Sequence, residues 1–326
     1  MSPELAVEGL HLRVGQSGEP VHILRGIDLH LHAGETLGIV GESGCGKSST
    51  LLACAGLLGT ESCLTGSIRL AGQEISRLTE RDWRAIRGRR IACVFQNARG
   101  ALHPMMAVGR QIARAWRQHN PGGGREARRR ALEMLRQVGF ADPDAIARRL
   151  PQELSGGQCQ RAIIALAMVM EPAVLLADEP TSGLDHGARV EVLKALRRQT
   201  LAHGTATLIV THDFAVVEEA CDRVAVMYAG QIVETGPAAA ILARPAHPYT
   251  RALLAARDAR ARRMPFIPGS IPDLRTAMAG CDFAPRCGFA RPVCHQEMPL
   301  MAPRGEKRQA RCRFTPEELV EAGNAA

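Results

Sequence analysis

The segment Gly41-Glu42-Ser43-Gly44-Cys45-Gly46-Lys47-Ser48 fits G-x-x-x-x-G-K-[ST]. The strand-like Thr36-Leu37-Gly38-Ile39-Val40 precedes it, and the helix-like Ser49-Thr50-Leu51-Leu52-Ala53-Cys54-Ala55 follows. Strand, glycine loop and helix in that order make a phosphate cradle and commit the chain to an α/β fold. Gly41, Gly44 and Gly46 let the backbone turn its N–H groups inward with no Cβ in the way of a phosphate. Glu42, Ser43, Cys45 and Ser49 belong to the same cradle. The helix N-terminus adds partial positive charge. Lys47 is placed to reach the β- and γ-phosphates, and Ser48 to put a hydroxyl on Mg²⁺. Alone, the loop specifies only a nucleoside triphosphate.

Composition narrows the class. The 326 residues carry a net charge of +8, almost all of the excess from arginine, since Lys47, Lys194 and Lys307 are the only lysines. No basic stretch is interleaved with aromatics, so the arginines read as a solvated surface and no nucleic-acid partner is expected. The longest apolar run, Ala162 to Met170, is too short to span a bilayer. The N-terminal MSPELAVEGL lacks the basic and apolar regions of an export signal. The ten cysteines are therefore expected in a reducing compartment.

Leu5 to Val14 alternates as a strand with a slip at Gly9, and Ile23 to His32 alternates again. Short strands are expected over Gly66–Gly72 and Ile91–Phe95. From about 98 to 170 the pattern is helical: Val108 to Gln118, a break at Pro121-Gly122-Gly123-Gly124, Arg125 to Val138, and a helix opened by Ser155. Arg128, Arg129, Arg130 and Arg136 read as the solvated side of the second helix. The runs Val174–Ala177 and Thr207–Val210 read as strands buried on both faces. Val190 to Gln199 reads as an amphipathic helix, and Arg223–Met227 with Gln231–Glu234 as a hairpin. Strands alternating with helices predict a parallel α/β sheet interrupted by a helical lobe. The boundaries are 1–255 for this domain, with the insert at about 98–170, and 256–326 for a Pro-, Arg- and Cys-rich appendage.

Asp178-Glu179 ends the buried run Val174–Ala177. An Asp there can hold Mg²⁺, and the adjacent Glu can orient and deprotonate an attacking water. Leu154-Ser155-Gly156-Gly157-Gln158 forms a second helix start able to hold an anion, at the tip of the insert. Two such sites in one chain suggest a nucleotide held between two copies. With these motifs the sequence resembles the ATP-binding cassette family over residues 5 to about 250. The resemblance implies a RecA-like parallel core with an antiparallel β part, and a cassette dimer closing on ATP and Mg²⁺. It implies that Gln96 links Mg²⁺ to the partner, and that Leu154–Gln158 contacts the γ-phosphate of ATP on the opposite subunit. It also implies that Glu179 is the catalytic base, that Ser182 and Asp185 lie in the loop crossing the dimer interface, and that His212 contacts the γ-phosphate. Ser48, Gln96 and Asp178 are then the Mg²⁺ set. One departure stands out: no Phe, Tyr or Trp precedes Trp83. His11, Arg13 or apolar contact is left to hold the base.

The tail, with His247-Pro248-Tyr249-Thr250-Arg251, Ile267-Pro268-Gly269 and Gly280-Cys281-Asp282-Phe283-Ala284-Pro285-Arg286-Cys287, looks like the C-terminal extension of oligopeptide, dipeptide and nickel importer ATPases. Cys281, Cys287, Cys294 and Cys312 run C-x5-C-x6-C-x17-C. Four thiolates suit Zn²⁺ or a [4Fe–4S] cluster, with His295 a competing ligand and free thiols or a disulfide the alternative. No C-x2-C knuckle favours zinc, and the subfamily resemblance favours iron in a structural role.

The resemblance implies an ATP-hydrolysing subunit of a bacterial peptide importer, or of a nickel or metal-chelate importer. It would sit peripherally on the cytoplasmic face of the inner membrane. Its partners would be a second, different cassette ATPase, two membrane permease subunits and, indirectly, a substrate-binding protein. Gln96 to Pro104 would help receive the permease coupling helix. A cassette ATPase acting on ribosomes or nucleic acid is the rival reading. It is disfavoured because the chain has neither a second cassette nor a long insertion of that kind.

Overall fold

The computed structural model describes residues 2–15, 20–120, 122–257, 267, 269–275, 279–305 and 307–319. The helix breaker Pro121, Pro268 of the tail, and positions 258–266 and 320–326 of the appendage lie outside the described residues.

Two sheets form. Strand β1 (Leu5–Val14) alternates, so one face buries Leu5, Val7, Leu10 and Leu12. It pairs antiparallel with β2 (Val21–Leu31) and later with β4 (Ser62–Leu70), and β5 (Gln73–Glu74) completes the order β2-β1-β4-β5. The expected slip is a bulge: the register shifts between Val7 and Leu10, where Gly9 has φ +53°.

The second sheet holds β3 (Thr36–Val40), β6 (Ile91–Val94), β7 (Val174–Asp178), β8 (Ala206–Thr211) and β9 (Arg223–Tyr228) in parallel. The residues of β3 and β8 are all buried, as continuous apolar strands covered on both faces should be. Strand β10 (Gln231–Pro237) returns antiparallel on β9, which makes the sheet mixed rather than purely parallel. Around it pack α1 (Lys47–Cys54), α2 (Glu80–Ile86), α8 (His186–His203) and α9 (Phe214–Ala220). Helix α8 begins four residues before Val190 because the Asp185 carboxylate accepts from Ala188 N–H at 2.9 Å and caps it there.

The insert is helical as expected. It contains α3 (Ala98–Ala101), α4 (Val108–His119), α5 (Gly124–Gln137), α6 (Pro143–Arg148) and α7 (Gly156–Met168). Val108, Ile112, Ala131, Met134, Leu135 and Ile163 share one core with Val94, Leu175 and Ala177 of the sheet. The lobe is thus packed onto the strands that carry the site. Arg128 and Arg129 are solvated, but Arg130 is mostly covered and pairs with Glu133 at 3.1 Å and with Glu171.

The tail is fastened to the cassette more closely than the composition shift suggests. After α10 (Ala238–Ala243) and α11 (Pro248–Arg257), β11 (Ala302–Pro303) and β12 (Gln309–Ala310) pair with each other, and β12 adds to β10 at the edge of the main sheet. Phe283 packs edge-on against Tyr228 and tilted against Tyr249. Fully buried Glu234 accepts from Ala246 N–H at 2.7 Å and His247 N–H at 3.0 Å, which fixes the turn into α11. Composition marks where this segment begins, but long-range strand and ring pairings leave no local signal in sequence.

His247 is buried, and its Nδ1 accepts from Tyr249 N–H at 3.1 Å. Burial pushes its pKa from 6.5 down to about 3. Between those values the unfolded chain binds a proton that the folded chain does not, so stability is full above pH 6.5 and falls as pH drops through the window. The urea midpoint of wild type should fall more than that of His247→Gln between about pH 7 and about pH 4.5. Equal falls would remove His247 as the source.

Candidate functional site

The phosphate loop is held where only glycine fits. A Cβ at Gly41 would lie 2.2 Å from the carbonyl oxygen of Met227 and 2.9 Å from Cys45 Sγ. Gly46, at φ +108°, is wedged against Met227, Leu24 and the carbonyl of Ile23. Lys47 Nζ donates to Gly41 O at 2.9 Å and Glu42 O at 3.0 Å, so its ammonium is fixed inside the loop. Glu42 N–H donates to the Tyr249 hydroxyl at 2.8 Å, and the Glu42 carboxylate accepts from Arg286 at 2.8 and 3.0 Å. That bidentate pair joins the loop to the tail, and neither partner was singled out in sequence for this contact.

A cleft of about 690 Å³ opens above the loop. It is lined by Ser43, Gly44, Gly46, Lys47, Ser48, Ser49, Gln96, Glu179 and His212, with Val21, Ile23 and Leu274 at its apolar end. Gly41, Glu42 and Cys45 belong to the loop but do not line the cleft. Ser48 Oγ donates to Asp178 Oδ1 at 3.1 Å, which brings together residues from α1 and the end of β7. Burial pushes the Asp178 carboxyl up, and the Ser48 hydrogen bond opposes that. A hydroxyl and a carboxylate side by side are hard oxygen donors suited to Mg²⁺, which needs few protein ligands when phosphates supply the rest. Gln96 Nε2 donates to the exposed Ser182 hydroxyl at 3.3 Å.

Glu179 has φ +47°, an uncommon conformation for a residue with a side chain. Its N–H donates to Val210 O at 2.8 Å, and its carbonyl accepts from Ser182 N–H at 3.1 Å. Such strain costs about 1–3 kcal/mol and persists only where the surroundings enforce it. The turn aims the carboxylate at His212, whose Nδ1 is 2.6 Å from Glu179 Oε1. His212 is 64% exposed and Glu179 14%, so a solvent-facing imidazole covers a recessed carboxylate.

The residues Leu154–Gln158 do not line this cleft. Ser155 caps α7 reciprocally with Gln158: its hydroxyl accepts from Gln158 N–H at 3.3 Å, and its N–H donates to Gln158 Oε1 at 3.1 Å. Ser155 and Gly156 are exposed. Gly157 is buried, and a Cβ there would lie 2.8 Å from that of Ala188. Leu154 O accepts from Arg99 at 2.7 Å, so the segment after Gln96 is tied to this helix start. Of the groups offered for the base, His11 is stacked on His22, with centroids 5.3 Å apart, and neither His11 nor Arg13 reaches the cleft. The apolar alternative fits what lines it.

Cys281, Cys287, Cys294 and Cys312 converge on one cavity of about 20 Å³, shared with His247, Phe283 and Phe314. All four are free, and burial pushes Cys287 and Cys312 up to about 11. The donor set is chemically apt for a soft metal centre. By spacing, no three His, Cys, Asp or Glu side chains among the described residues form a metal-holding group. His295 is exposed and does not line the cavity; His247 does, with its Nδ1 already engaged.

Comparison with known proteins agrees with this geometry. The ABC transporter family matches residues 24–182, and the C-terminal region of oligopeptide/dipeptide transporters matches residues 233–294. A probable peptide ABC transporter ATP-binding protein of Sinorhizobium fredii is 46% identical over 86% of this chain and 85% of its own. A probable D,D-dipeptide transport ATP-binding protein of Escherichia coli is 38% identical over 98% of each. The dimeric cassette MJ0796 bound to ADP and phosphate superposes with a TM-score of 0.64 at 26% identity, covering 72% of this chain and 98% of that one. The chain belongs to the ATP-binding cassette transporter family, with the C-terminal extension of its oligopeptide/dipeptide branch.

Proposed function

We propose that this chain is the ATP-hydrolysing subunit of a bacterial peptide importer. The observation that carries the proposal is the single cleft that gathers Lys47, Ser48, Gln96, Glu179 and His212 from four separate segments. Lys47 and the loop N–H groups bind the phosphates. Ser48 and Asp178, with Gln96, would hold Mg²⁺, which would offset phosphate charge. Glu179 takes the proton of the attacking water, and His212 orients its carboxylate and faces the γ-phosphate.

The signature residues Leu154–Gln158 do not line this cleft, which supports their acting on nucleotide bound to a second cassette. Ser182 and Asp185 would lie in that interface. The second cassette is a different chain in this reading. Of the two permease subunits in this reading, one seats its coupling helix in a groove that the Gln96–Pro104 segment helps form, and Arg99 links that segment to Leu154. The assembly places the chain peripherally on the cytoplasmic face of the inner membrane, and no described helix is long and apolar enough to cross it. The names of the relatives favour peptide over nickel or a metal chelate as cargo.

The four tail cysteines in this reading hold a structural [4Fe–4S] cluster, supported by their convergence on one cavity. Anaerobically purified protein should contain about four iron per chain and absorb broadly in the visible. A colourless, iron-free chain would rule this out.

Glu179→Gln should lower ATP turnover by about 100- to 10,000-fold while retaining MgATP binding. Turnover close to that of wild type would contradict the assignment of the base.

A further inference from the structure

The tail reaches the nucleotide cleft itself. Val21 and Ile23, two apart on β2, present one face of that strand to the cleft. Leu274, from the far end of the chain, stands with them. The three side chains form the apolar end, continuous with the phosphate loop, because the Ile23 carbonyl lies against Gly46. We propose that Leu274 of the C-terminal extension, with Val21 and Ile23, forms the subsite for the purine ring of the nucleotide, where no Phe, Tyr or Trp among the described residues lines the cleft.

Three contacts hold described residues of the tail beside the cleft, one of them at Leu274 itself. His22 N–H donates to Leu274 O at 3.3 Å, which docks its backbone directly on β2. Arg25, also on β2, pairs with buried Asp282 at 2.7 Å. Arg286, 5% exposed, grips the Glu42 carboxylate of the phosphate loop and also donates to Ile267 O at 3.3 Å. Charge pairs this covered, with hydrogen bonds on both sides, define position better than solvated ones. Leu274 and Asp282 of the tail thereby meet β2, and Arg286 meets the phosphate loop. An aliphatic subsite recognises a base by shape and apolar area. It makes no hydrogen bond that separates adenine from guanine, and it favours the larger purine surface over a pyrimidine.

The inference rests on the nucleotide reading of the cleft, and the test separates the two. Binding of MgADP and of magnesium pyrophosphate to the full chain is measured by calorimetry for wild type, Leu274→Ala, Leu274→Met and Leu274→Phe. Leu274→Ala should weaken ADP about tenfold, the loss expected for removing a few methylene contacts, and leave pyrophosphate unchanged. Leu274→Met should restore the wild-type ratio of the two affinities. Leu274→Phe should hold or raise it, which keeps the test open if the alanine variant does not fold. An unchanged ADP affinity in Leu274→Ala would overturn the inference, as would equal losses for ADP and pyrophosphate, or a reduced ratio in Leu274→Phe. Wild-type chain that bound neither ligand would overturn the nucleotide reading and the inference with it.

Discussion

The close approach of backbone to backbone at the phosphate loop constrains everything around it. Gly41 lies against the carbonyl of Met227, and Gly46 against that of Ile23. A side chain at either point would push β9 or β2 away, so the loop, the main sheet and the antiparallel sheet hold one another in place. Lys47 closes the loop from inside by bonding to its carbonyls. Arg286 closes it from outside through Glu42. The chemistry is thus set by the meeting of three layers rather than by one element.

The same rigidity explains how charge is managed. Asp178 is recessed and bound to Ser48, and Glu179 is turned out of β7 by a left-handed backbone toward His212. Neighbouring carboxylates therefore face different partners, Asp178 the Ser48 hydroxyl and Glu179 the His212 ring. Ser155, by contrast, is capped, exposed and outside the cleft. The buried side of this helix start rests on its own chain, where Gly157 lies close to Ala188.

Much of this was legible because the motifs are local. The glycine loop, the Asp178-Glu179 pair at a buried strand end and the Ser155 cap each carry their structure in a few adjacent residues. The slip at Gly9 and the buried runs of β3, β7 and β8 were equally direct, since periodicity reports burial. What was not legible depends on distant partners. Nothing near Gln309 marks it as an edge strand for β10, and nothing near Arg286 names Glu42. The place of Leu274 beside Ile23 follows only from the fold. His247 was passed over in favour of His295 because sequence proximity to the cysteines does not reveal which ring points at them. The missing aromatic before Trp83 was visible as an absence, but that Leu274 lines the cleft with Val21 and Ile23 was not.

In the proposed assembly the loop of this chain and the signature of a second cassette enclose one nucleotide. Hydrogen exchange on the assembly purified with its partner subunits and trapped by Glu179→Gln addresses it directly. MgATP should slow exchange at the amides of both Gly44–Ser48 and Gly156–Gln158, although these lie on separate surfaces of the chain. Protection confined to Gly44–Ser48 would mean that the nucleotide is held by one cassette alone.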